Sequence, residues 1–310
     1  MNYQVVVSTF NGERHIAEQL HSIIRQNPAP EGIIVSDDGS SDNTLTIVKT
    51  IAHSCSVPIT LLNGPKRGVN HNILFALQHT SAPYVLIADQ DDIWLDNKAA
   101  LFTGQMLALQ QPHLIFSDSW IWQPPAAPHQ TLWQLDQLLP SNSQHPALLA
   151  FHNCVQGASA AINQALIQRL KNHTDMVMYD WWIALIAATQ GRCSAIPTPT
   201  LRYRQHRNAQ LGSQALRHQQ QTYWHSRQTK ISASRNIIRQ AAAFGHTYQN
   251  ELTPQNKAFF TQLAQALQKG PHARLAFLIR QRPYRKNLIR SLSLWACILT
   301  MPRATKALRH

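Results

Sequence analysis

The sequence predicts an α/β fold in which helices cover a mostly parallel sheet, followed by a basic helical C-terminal extension. Three observations support this prediction. Short runs of β-branched residues alternate with segments of helical periodicity along the first third of the chain, which is typical of parallel sheets with helical crossovers. Several of the strand-like runs end in acidic residues, and the balance of charge changes sign late in the chain.

The predicted elements follow one another in a regular order. Strands at 5–9, 33–36, 59–62, 84–88 and 114–116 alternate with helices at 16–26, 44–52, 72–79 and 97–109. A Pro-rich stretch from 123 to 146 predicts an irregular insertion over the site, and a strand at 154–162 and an apolar helix at 180–190 follow it. We place a domain boundary near residue 212, which gives a catalytic domain at 1–212 and an extension at 213–310.

The distribution of charge predicts an anionic partner for the extension. Residues 1–200 hold 9 Lys and Arg against 14 Asp and Glu, whereas residues 201–310 hold 19 against the single Glu251. Such a basic block suits either nucleic acid or the negatively charged inner face of a membrane. No apolar run approaches the roughly 18 residues of a spanning helix. The four cysteines lack paired spacing, and no signal core opens the chain, so we expect a cytoplasmic protein.

The first acidic motif follows the second predicted strand. Asp37 and Asp38 precede Gly39 and a Ser/Asp cluster that opens a helix. A carboxylate there can accept hydrogen bonds from a base ring N–H or a ribose hydroxyl. A tight turn with a helix cap explains the same residues equally well, and both interpretations remain open at this point.

The second acidic motif, Asp89-Gln90-Asp91-Asp92-Ile93-Trp94, follows an apolar strand. Because strand side chains alternate, Asp89 and Asp91 are expected on one side and Gln90 on the other. Like charges this close raise each other's pKa unless a cation neutralises them, and carboxylate oxygens are ligands that Mg²⁺ or Mn²⁺ prefers. The alternative is a solvated acidic loop that caps the next helix.

Two further motifs lie later in the chain. Asp180 stands between aromatic residues at the start of an apolar helix, where partial desolvation would raise its proton affinity and suit it to act as a general base. Plain N-capping is the alternative, and Asp175 is a weaker candidate for the base. His206 follows a short strand and could complete a cation's shell, while Arg202, Arg204 or Arg207 could meet phosphate.

Together these stretches resemble glycosyltransferase family 2, the inverting enzymes of the GT-A fold. The resemblance covers about residues 1–212. It is carried by Val7 to Gly12, the Asp37-Asp38-Gly39-Ser40 turn, Asp89 to Trp94, Asn153 to Gly157, Tyr179 to Trp182, and Tyr203 to His206.

The resemblance implies a role for each matching residue. Asp89 and Asp91 would form the D-x-D element of the family. Asp91 and His206 would hold Mg²⁺ or Mn²⁺, Asp180 would be the base, and Gly157 and Trp181 would lie on the acceptor side. The expected donor-binding residues are Thr9, Asn11, Asp37, Asp38, Arg67, Asp89 and Asp91.

The resemblance also narrows the expected substrates. The Asp-Gln-Asp-Asp-Ile-Trp and Tyr-Arg-Gln-His strings are similar to those of bacterial rhamnosyltransferase-like members, which favours dTDP-L-rhamnose over donors such as a UDP-hexose. The expected acceptor is a hydroxyl of a glycan or lipid-linked acceptor in cell-surface polysaccharide synthesis, including O-antigen. One departure is Tyr179, because the family often carries Glu before the aspartate at the base position.

The tail after residue 270 predicts contact with a membrane surface. Cations from Arg274 to Arg290 precede an apolar stripe of Leu292, Leu294, Trp295, Ile298 and Leu299. This composition suits a helix lying on anionic lipid at the inner face of the cytoplasmic membrane. Alternatively, the stripe packs on the catalytic domain.

Two rival functions fit the sequence less well. A nucleic-acid-binding protein would account for the basic tail but leaves the acidic strand ends unexplained, so nucleic acid is not the expected partner. A sugar-phosphate nucleotidyltransferase would need a Gly-rich, Lys- or Arg-bearing loop after the first strand. Residues 9–13 do not provide one.

Overall fold

The computed structural model describes residues 1–205, 223–285 and 287–302, excluding the side chains of 223–228 and 230. The strands in these ranges are β1 (Tyr3–Thr9), β2 (Gly32–Asp37), β3 (Ile59–Asn63), β4 (Tyr84–Asp89), β5 (Ile93–Trp94), β6 (His113–Trp122), β7 (Ala160–Asn163) and β8 (Arg192–Arg204). The helices of the first 205 residues are α1 (Ile16–Ile24), α2 (Thr44–Ser54), α3 (Val69–Leu77), α4 (Lys98–Thr103), α5 (Leu132–Asp136), α6 (Pro146–Leu149), α7 (Gln164–Ile167) and α8 (Tyr179–Gln190). Helices α9 (Tyr223–Thr247), α10 (Pro254–Lys269), α11 (Pro271–Gln281) and α12 (Leu288–Leu299) follow.

The strands form one sheet in the order β3-β2-β1-β4-β7-β6-β8-β5. The first four strands in that order are parallel, β6 and β8 are also parallel, and β7 and β5 pair antiparallel with their neighbours. The predicted α/β class is therefore confirmed. In the register of the parallel part, Thr9 pairs with Asp37 and Ser8 with Asp89, so the carboxyl ends of three strands meet at one edge.

Several predicted boundaries differ from the structure. The helix predicted at 97–109 ends at Thr103, and the strand predicted to begin at 154 begins at Ala160, after a 3-10 turn. The strand predicted at 114–116 continues to Trp122, because β8 pairs along its length. Periodicity alone does not reveal such a distant pairing partner. The Pro-rich insertion also contains α5, which begins with a capping box at Thr131.

Helix α8 is apolar on nearly every face because protein surrounds it. The sheet lies on one side, and the C-terminal helices lie on the other. The Trp182 ring contacts Phe244 at a centroid distance of 5.3 Å and Tyr248 at 6.0 Å. The extension thus shares a hydrophobic core with the catalytic part. The predicted boundary near residue 212 lies outside the described residues.

The predicted lipid-facing stripe is wrong for most of its members. Leu294 and Ile298 are fully buried, where α12 meets α9 and α11, and the half-buried Trp295 donates its indole N–H to the Pro283 carbonyl at 2.8 Å. Packing accounts for this face, but the main contacts of α12 are with α9 and α11 of the extension rather than with the catalytic domain that the alternative named. Arg274, the first cation of the tail, is also buried and donates to backbone carbonyls of α10, of the last residue of α12 and of the segment beyond it. Within the described parts of the chain, no helix is long and apolar enough to cross a bilayer.

Candidate active site

A cavity of about 1250 Å³ opens at the carboxyl edge of the parallel strands. It is larger than the roughly 300–1,000 Å³ of most small-molecule pockets, so it has room for more than one ligand. Seven predicted site residues line it: Asn11, Asp38, Asp89, Asp91, Gly157, Asp180 and Trp181. Thr9, Asp37 and Arg67 do not line it, and His206 lies outside the described residues.

Thr9 and Asp37 shape the floor beneath the cavity. Both are almost fully buried, and the Thr9 hydroxyl donates to an Asp37 carboxylate oxygen at 3.0 Å. The other Asp37 oxygen accepts the backbone N–H groups of Gly39 and Ser40 at 3.0 and 2.8 Å. For Asp37, the structure therefore favours the tight-turn interpretation of the first acidic motif. Its direct contact with donor stays a prediction.

Asp38 and Asn11 stand at the cavity wall and order the neighbouring loops. Asp38 accepts the backbone N–H groups of Gly68 at 2.7 Å and Arg67 at 3.2 Å, which holds that loop beside the β2 end. The Arg67 side chain is exposed. Asn11, at a left-handed φ of 49°, accepts the Ser41 N–H at 2.8 Å. Together these bonds connect the β1, β2 and β3 loops into one wall.

Asp89 and Asp91 both line the cavity, and Gln90 lines it as well, because the strand ends at Asp89 and its alternation does not continue to Asp91. Gln90 between them turns to the β1 loop, where its side-chain amide accepts the Phe10 N–H at 2.9 Å and donates to the Phe10 carbonyl at 3.0 Å. Burial, and then the charges of Asp91 and Asp180, raise the pKa of Asp89 to about 7. The negative groups of this wall are thus close enough to destabilise one another.

A buried lysine beneath this wall was missed by the sequence analysis. Lys98 is fully buried, donates to the Ala158 carbonyl at 2.8 Å, and lies 4.4 Å from the centroid of the Trp94 ring. Burial lowers the pKa of Lys98 to about 7, whereas the charges of Asp92 and Asp89 oppose that shift. Lysine is rarely buried without a partner. In the sequence, the only indication of a buried Lys98 near the site is its position four residues after Trp94, close to the acidic motif.

Arg204 fixes the loop that carries Asp91, rather than meeting phosphate as the sequence allowed. Its side chain is almost fully buried. It donates to the Asp91 carbonyl at 2.7 Å and to the Glu18 carboxylate at 2.6 Å, and it stacks 4.3 Å from the Trp122 ring centroid. Its backbone N–H donates to Asp92 at 3.1 Å. The exposed Arg202 also lies near the Trp122 ring, and Arg207 is outside the described residues.

Asp180 lies in the first turn of α8 with its carboxylate held by three donors. It accepts the Gly157 N–H at 3.1 Å, the Asn153 side-chain amide at 3.3 Å and the Trp181 N–H at 2.6 Å. Burial nevertheless raises the pKa of Asp180 to about 7. The N-capping interpretation is wrong, because Met178 occupies the N-cap position.

Neighbouring side chains fix the surroundings of Asp180. A Cβ atom at Gly157 would overlap the Tyr179 hydroxyl, so the close packing of Gly157 against Tyr179, the residue before Asp180, requires glycine. Trp181 donates its indole N–H to the Leu149 carbonyl at 2.6 Å. Asp175, the weaker candidate for the base, does not line the cavity.

The carboxylates of this wall suit a hard divalent cation that keeps some of its coordination positions for other ligands. Asp89 and Asp91 contribute carboxylates to one wall, and their mutual repulsion would be relieved by positive charge. Among the described residues, no group of three or more His, Cys, Asp or Glu side chains is arranged to hold a metal ion. Two carboxylates fit an ion that completes its shell with water and substrate phosphate, as Mg²⁺ commonly does.

Comparisons with known proteins agree with this geometry. Residues 4–113 match the sequence model of glycosyl transferase family 2. The dTDP-rhamnosyl transferase RfbG of Shigella flexneri is 26% identical over 221 residues, which is 67% of this chain and 74% of that protein. An Escherichia coli enzyme, the UDP-Glc:alpha-D-GlcNAc-diphosphoundecaprenol beta-1,3-glucosyltransferase WfgD, is 31% identical over 103 residues, covering 33% and 40% of the two chains. That second alignment spans less than half of either protein.

Solved structures show the same fold. Residues 1–349 of TarS from S. aureus match with a TM-score of 0.55 at 15% identity, over 97% of this chain and 81% of that one. The mannosyltransferase PcManGT from Pyrobaculum calidifontis, in complex with GDP-Man and Mn²⁺, matches with a TM-score of 0.53 at 21% identity, over 96% and 85% of the two chains. The chain therefore has the GT-A fold, which confirms the finer part of the predicted class.

Replacing Arg204 tests what holds the Asp91 loop. Arg204→Gln leaves the Asp91 carbonyl without its charged donor and should lower the free energy of unfolding by about 2–3 kcal/mol. Glu18→Gln should cost less than about 1 kcal/mol, because the Glu18 side chain is 53% exposed and water replaces its partner. Urea unfolding of both variants measures the difference. Equal losses would show that the ion pair, and not the bond to the loop, supplies the stability.

Proposed function

We propose that this chain, a glycosyltransferase whose residues 4–113 match the sequence model of family 2, transfers a sugar with inversion from a nucleotide-diphosphate sugar to a hydroxyl of a glycan or lipid-linked acceptor. The reaction would serve cell-surface polysaccharide synthesis, including O-antigen. One observation carries the proposal: Asp180 lines the same cavity as Asp89 and Asp91. A base for the acceptor and carboxylates for a cation on the donor side therefore share one space.

The mechanism is a single displacement. The Asp180 carboxylate takes the proton of the acceptor hydroxyl, the acceptor oxygen forms a bond to the anomeric carbon, and the bond from that carbon to the diphosphate oxygen breaks. The nucleoside diphosphate leaves with the bonding electrons. The bonds from Gly157 and Asn153 hold the Asp180 carboxylate in place, so that little reorganisation is needed when the proton moves.

Asp91 and Asp89 would hold Mg²⁺ or Mn²⁺, with His206 as a further proposed ligand. When bound, such an ion offsets the negative charge that accumulates on the leaving diphosphate. Asp38, Asn11 and the Arg67 loop would bind the nucleoside from the other wall, above the turn that Thr9 and Asp37 shape. The likeness to the dTDP-rhamnosyl transferase RfbG supports dTDP-L-rhamnose as the donor, since that alignment spans most of both proteins.

A panel of nucleotide sugars tests this function. We expect nucleoside diphosphate to be released from dTDP-L-rhamnose with Mg²⁺ or Mn²⁺ present, faster than from UDP-glucose, UDP-GlcNAc or GDP-mannose, and to stop in excess chelator. Release is measured by a coupled phosphate assay, with and without a glycan acceptor. If no donor releases nucleoside diphosphate, the proposed transfer is wrong. Faster release from another sugar would replace rhamnose only.

Asp180→Asn separates the base from donor binding. General-base catalysis contributes about 10²–10⁴-fold, so kcat for transfer should fall by that factor while the donor Kd changes little. Because burial raises the pKa of Asp180 to about 7, the base is protonated at lower pH, and wild-type kcat/KM should fall about tenfold for each pH unit below 7. Asp175→Asn is the matched control and should keep the wild-type rate. Turnover at the wild-type rate by Asp180→Asn would exclude this carboxylate as the base.

The C-terminal helices also support peripheral association with an anionic membrane at its cytoplasmic face. Six large apolar side chains of α11, α12 and their connection are exposed: Leu275, Ile279, Tyr284, Leu288, Ile289 and Leu292. We call them the apolar patch. Ile289 and Leu288 are 79% and 70% exposed, and the exposed Arg280 and Arg282 lie in the same segment. Apolar side chains beside arginines suit the interface of an anionic bilayer.

Sedimentation with vesicles tests this surface. Changing Leu288, Ile289 and Leu292 to Gln together removes apolar area that would enter the bilayer, so binding to phosphatidylglycerol vesicles should fall at least about tenfold. Leu107→Gln is the matched control, since Leu107 is an exposed leucine of the catalytic part. Undiminished sedimentation of the triple variant would contradict the proposal.

A further inference from the structure

Two arginines of the C-terminal extension reach the active-site cavity. Arg285 follows α11, and Arg290 lies in the first turn of α12. Both line the cavity that also contains Asp180 and Asp91. In the sequence they belong to the basic tail after residue 270, and the proposed sugar transfer uses neither of them.

The Arg285 side chain has few partners in the described structure. Its guanidinium reaches only the Ser234 hydroxyl, at 3.5 Å, and its buried Nε atom has no hydrogen-bond partner there. None of the ion pairs between described residues involves Arg285. The Arg285 side chain as a whole is half-buried and lines the cavity, so it stays partly accessible to a ligand. A guanidinium has several N–H donors, and those that protein atoms leave unused can meet the oxygen atoms of a ligand.

The charge of Arg290 adds to that of Arg285. Burial, and then the positive charge of Arg290, lower the pKa of Arg285. The two cations are thus close enough to repel each other, and an anion between them would relieve the repulsion. Guanidinium groups present paired N–H donors that match phosphate oxygens.

The backbone around Arg285 is fixed before any ligand binds. The Arg285 N–H donates to the Ser291 hydroxyl at 2.9 Å, and that hydroxyl donates to the Arg285 carbonyl at 2.9 Å. Two residues earlier, Pro283 accepts the Trp295 indole N–H. The segment is therefore held to α12 at both ends, which lowers the entropic cost of placing Arg285 in the cavity.

The residues next to Arg285 and Arg290 in the chain indicate which kind of substrate would bring a phosphate group to these arginines. Tyr284 of the apolar patch precedes Arg285, and Leu288 and Ile289 precede Arg290. A molecule with an apolar tail and a diphosphate could place the tail on the patch and its diphosphate at the arginines. The donor diphosphate is already assigned to the wall of Asp89 and Asp91.

We propose that Arg285 and Arg290 form a binding site for the diphosphate group of a lipid-linked acceptor. This proposal rests on the proposed function, because it deepens the identity of the acceptor. It places the sugar of the acceptor deeper in the cavity, toward Asp180, and its lipid outside on the apolar patch.

Binding of geranyl diphosphate, measured by calorimetry in excess EDTA, tests the pair without a cation at the donor wall. Arg285→Gln and Arg290→Gln should each weaken binding about tenfold or more, since each removes charge-assisted hydrogen bonds. Arg280→Gln removes an exposed charge of the same segment, and Arg14→Gln removes a charge from the cavity wall beside β1. Both controls should bind as the wild type does. An equal loss in Arg14→Gln would show that only the general field of the cavity attracts the anion, and would overturn the site.

Further measurements distinguish the proposed contact from two other effects of the substitutions, a loss of folding and a loss of binding to phospholipid. Arg285→Lys keeps the charge, should melt as the wild type does, and should show an affinity between those of wild type and Arg285→Gln. Wild-type affinity in both Arg285 variants would overturn the proposal. Sedimentation of the Arg285 variants with phosphatidylglycerol vesicles should equal that of wild type, whereas a loss matching that for geranyl diphosphate would assign the pair to phospholipid headgroups instead.

The calorimetric experiment contains no sugar donor. Failure of the donor panel would therefore leave this binding result intact, and failure here would leave sugar transfer intact.

Discussion

Negative charge concentrated at a buried sheet edge is the constraint on which the rest of the site depends. Four carboxylates lie in one poorly hydrated region, where the repulsion between like charges is strong and costs free energy. They belong to Asp89, Asp91, Asp92 and Asp180. The protein offsets this cost with Lys98 below the wall and with N–H donors around Asp180. Arg204 adds a charged donor to the Asp91 backbone. A divalent cation would relieve the remaining repulsion between the carboxylates and could then attract a diphosphate, which links the electrostatics of the protein to its proposed chemistry.

The C-terminal helices belong to this arrangement through packing. Trp182 follows Asp180 by two residues and contacts Phe244 of α9, so the helix that carries the proposed base is held between the sheet and the extension. The same extension brings Arg285 and Arg290 to the cavity and leaves the apolar patch exposed. The helices therefore have an inner surface that stabilises the site and an outer, partly apolar surface, which is the one that we propose binds a membrane.

Much of the fold and part of the site could be predicted because their signals are local. The parallel strands follow from β-branched runs, and the place of Asp89 and Asp91 at the cavity follows from their position directly after an apolar strand. Where the prediction failed, a distant partner decided the outcome. The strand β6 is long because β8 pairs with it, and Leu294 and Ile298 face inward because α9 and α11 lie there.

By itself, the sequence determined the α/β class, the acidic strand ends and the basic extension, since each depends on neighbouring residues or on composition. Only the tertiary structure decided that Asp180 enters the cavity of Asp89, that Arg204 holds the Asp91 loop, and that Lys98 is buried. The physical reason is that the energy of a charged side chain depends on the groups that surround it in space. For these residues, many of those groups come from remote parts of the chain.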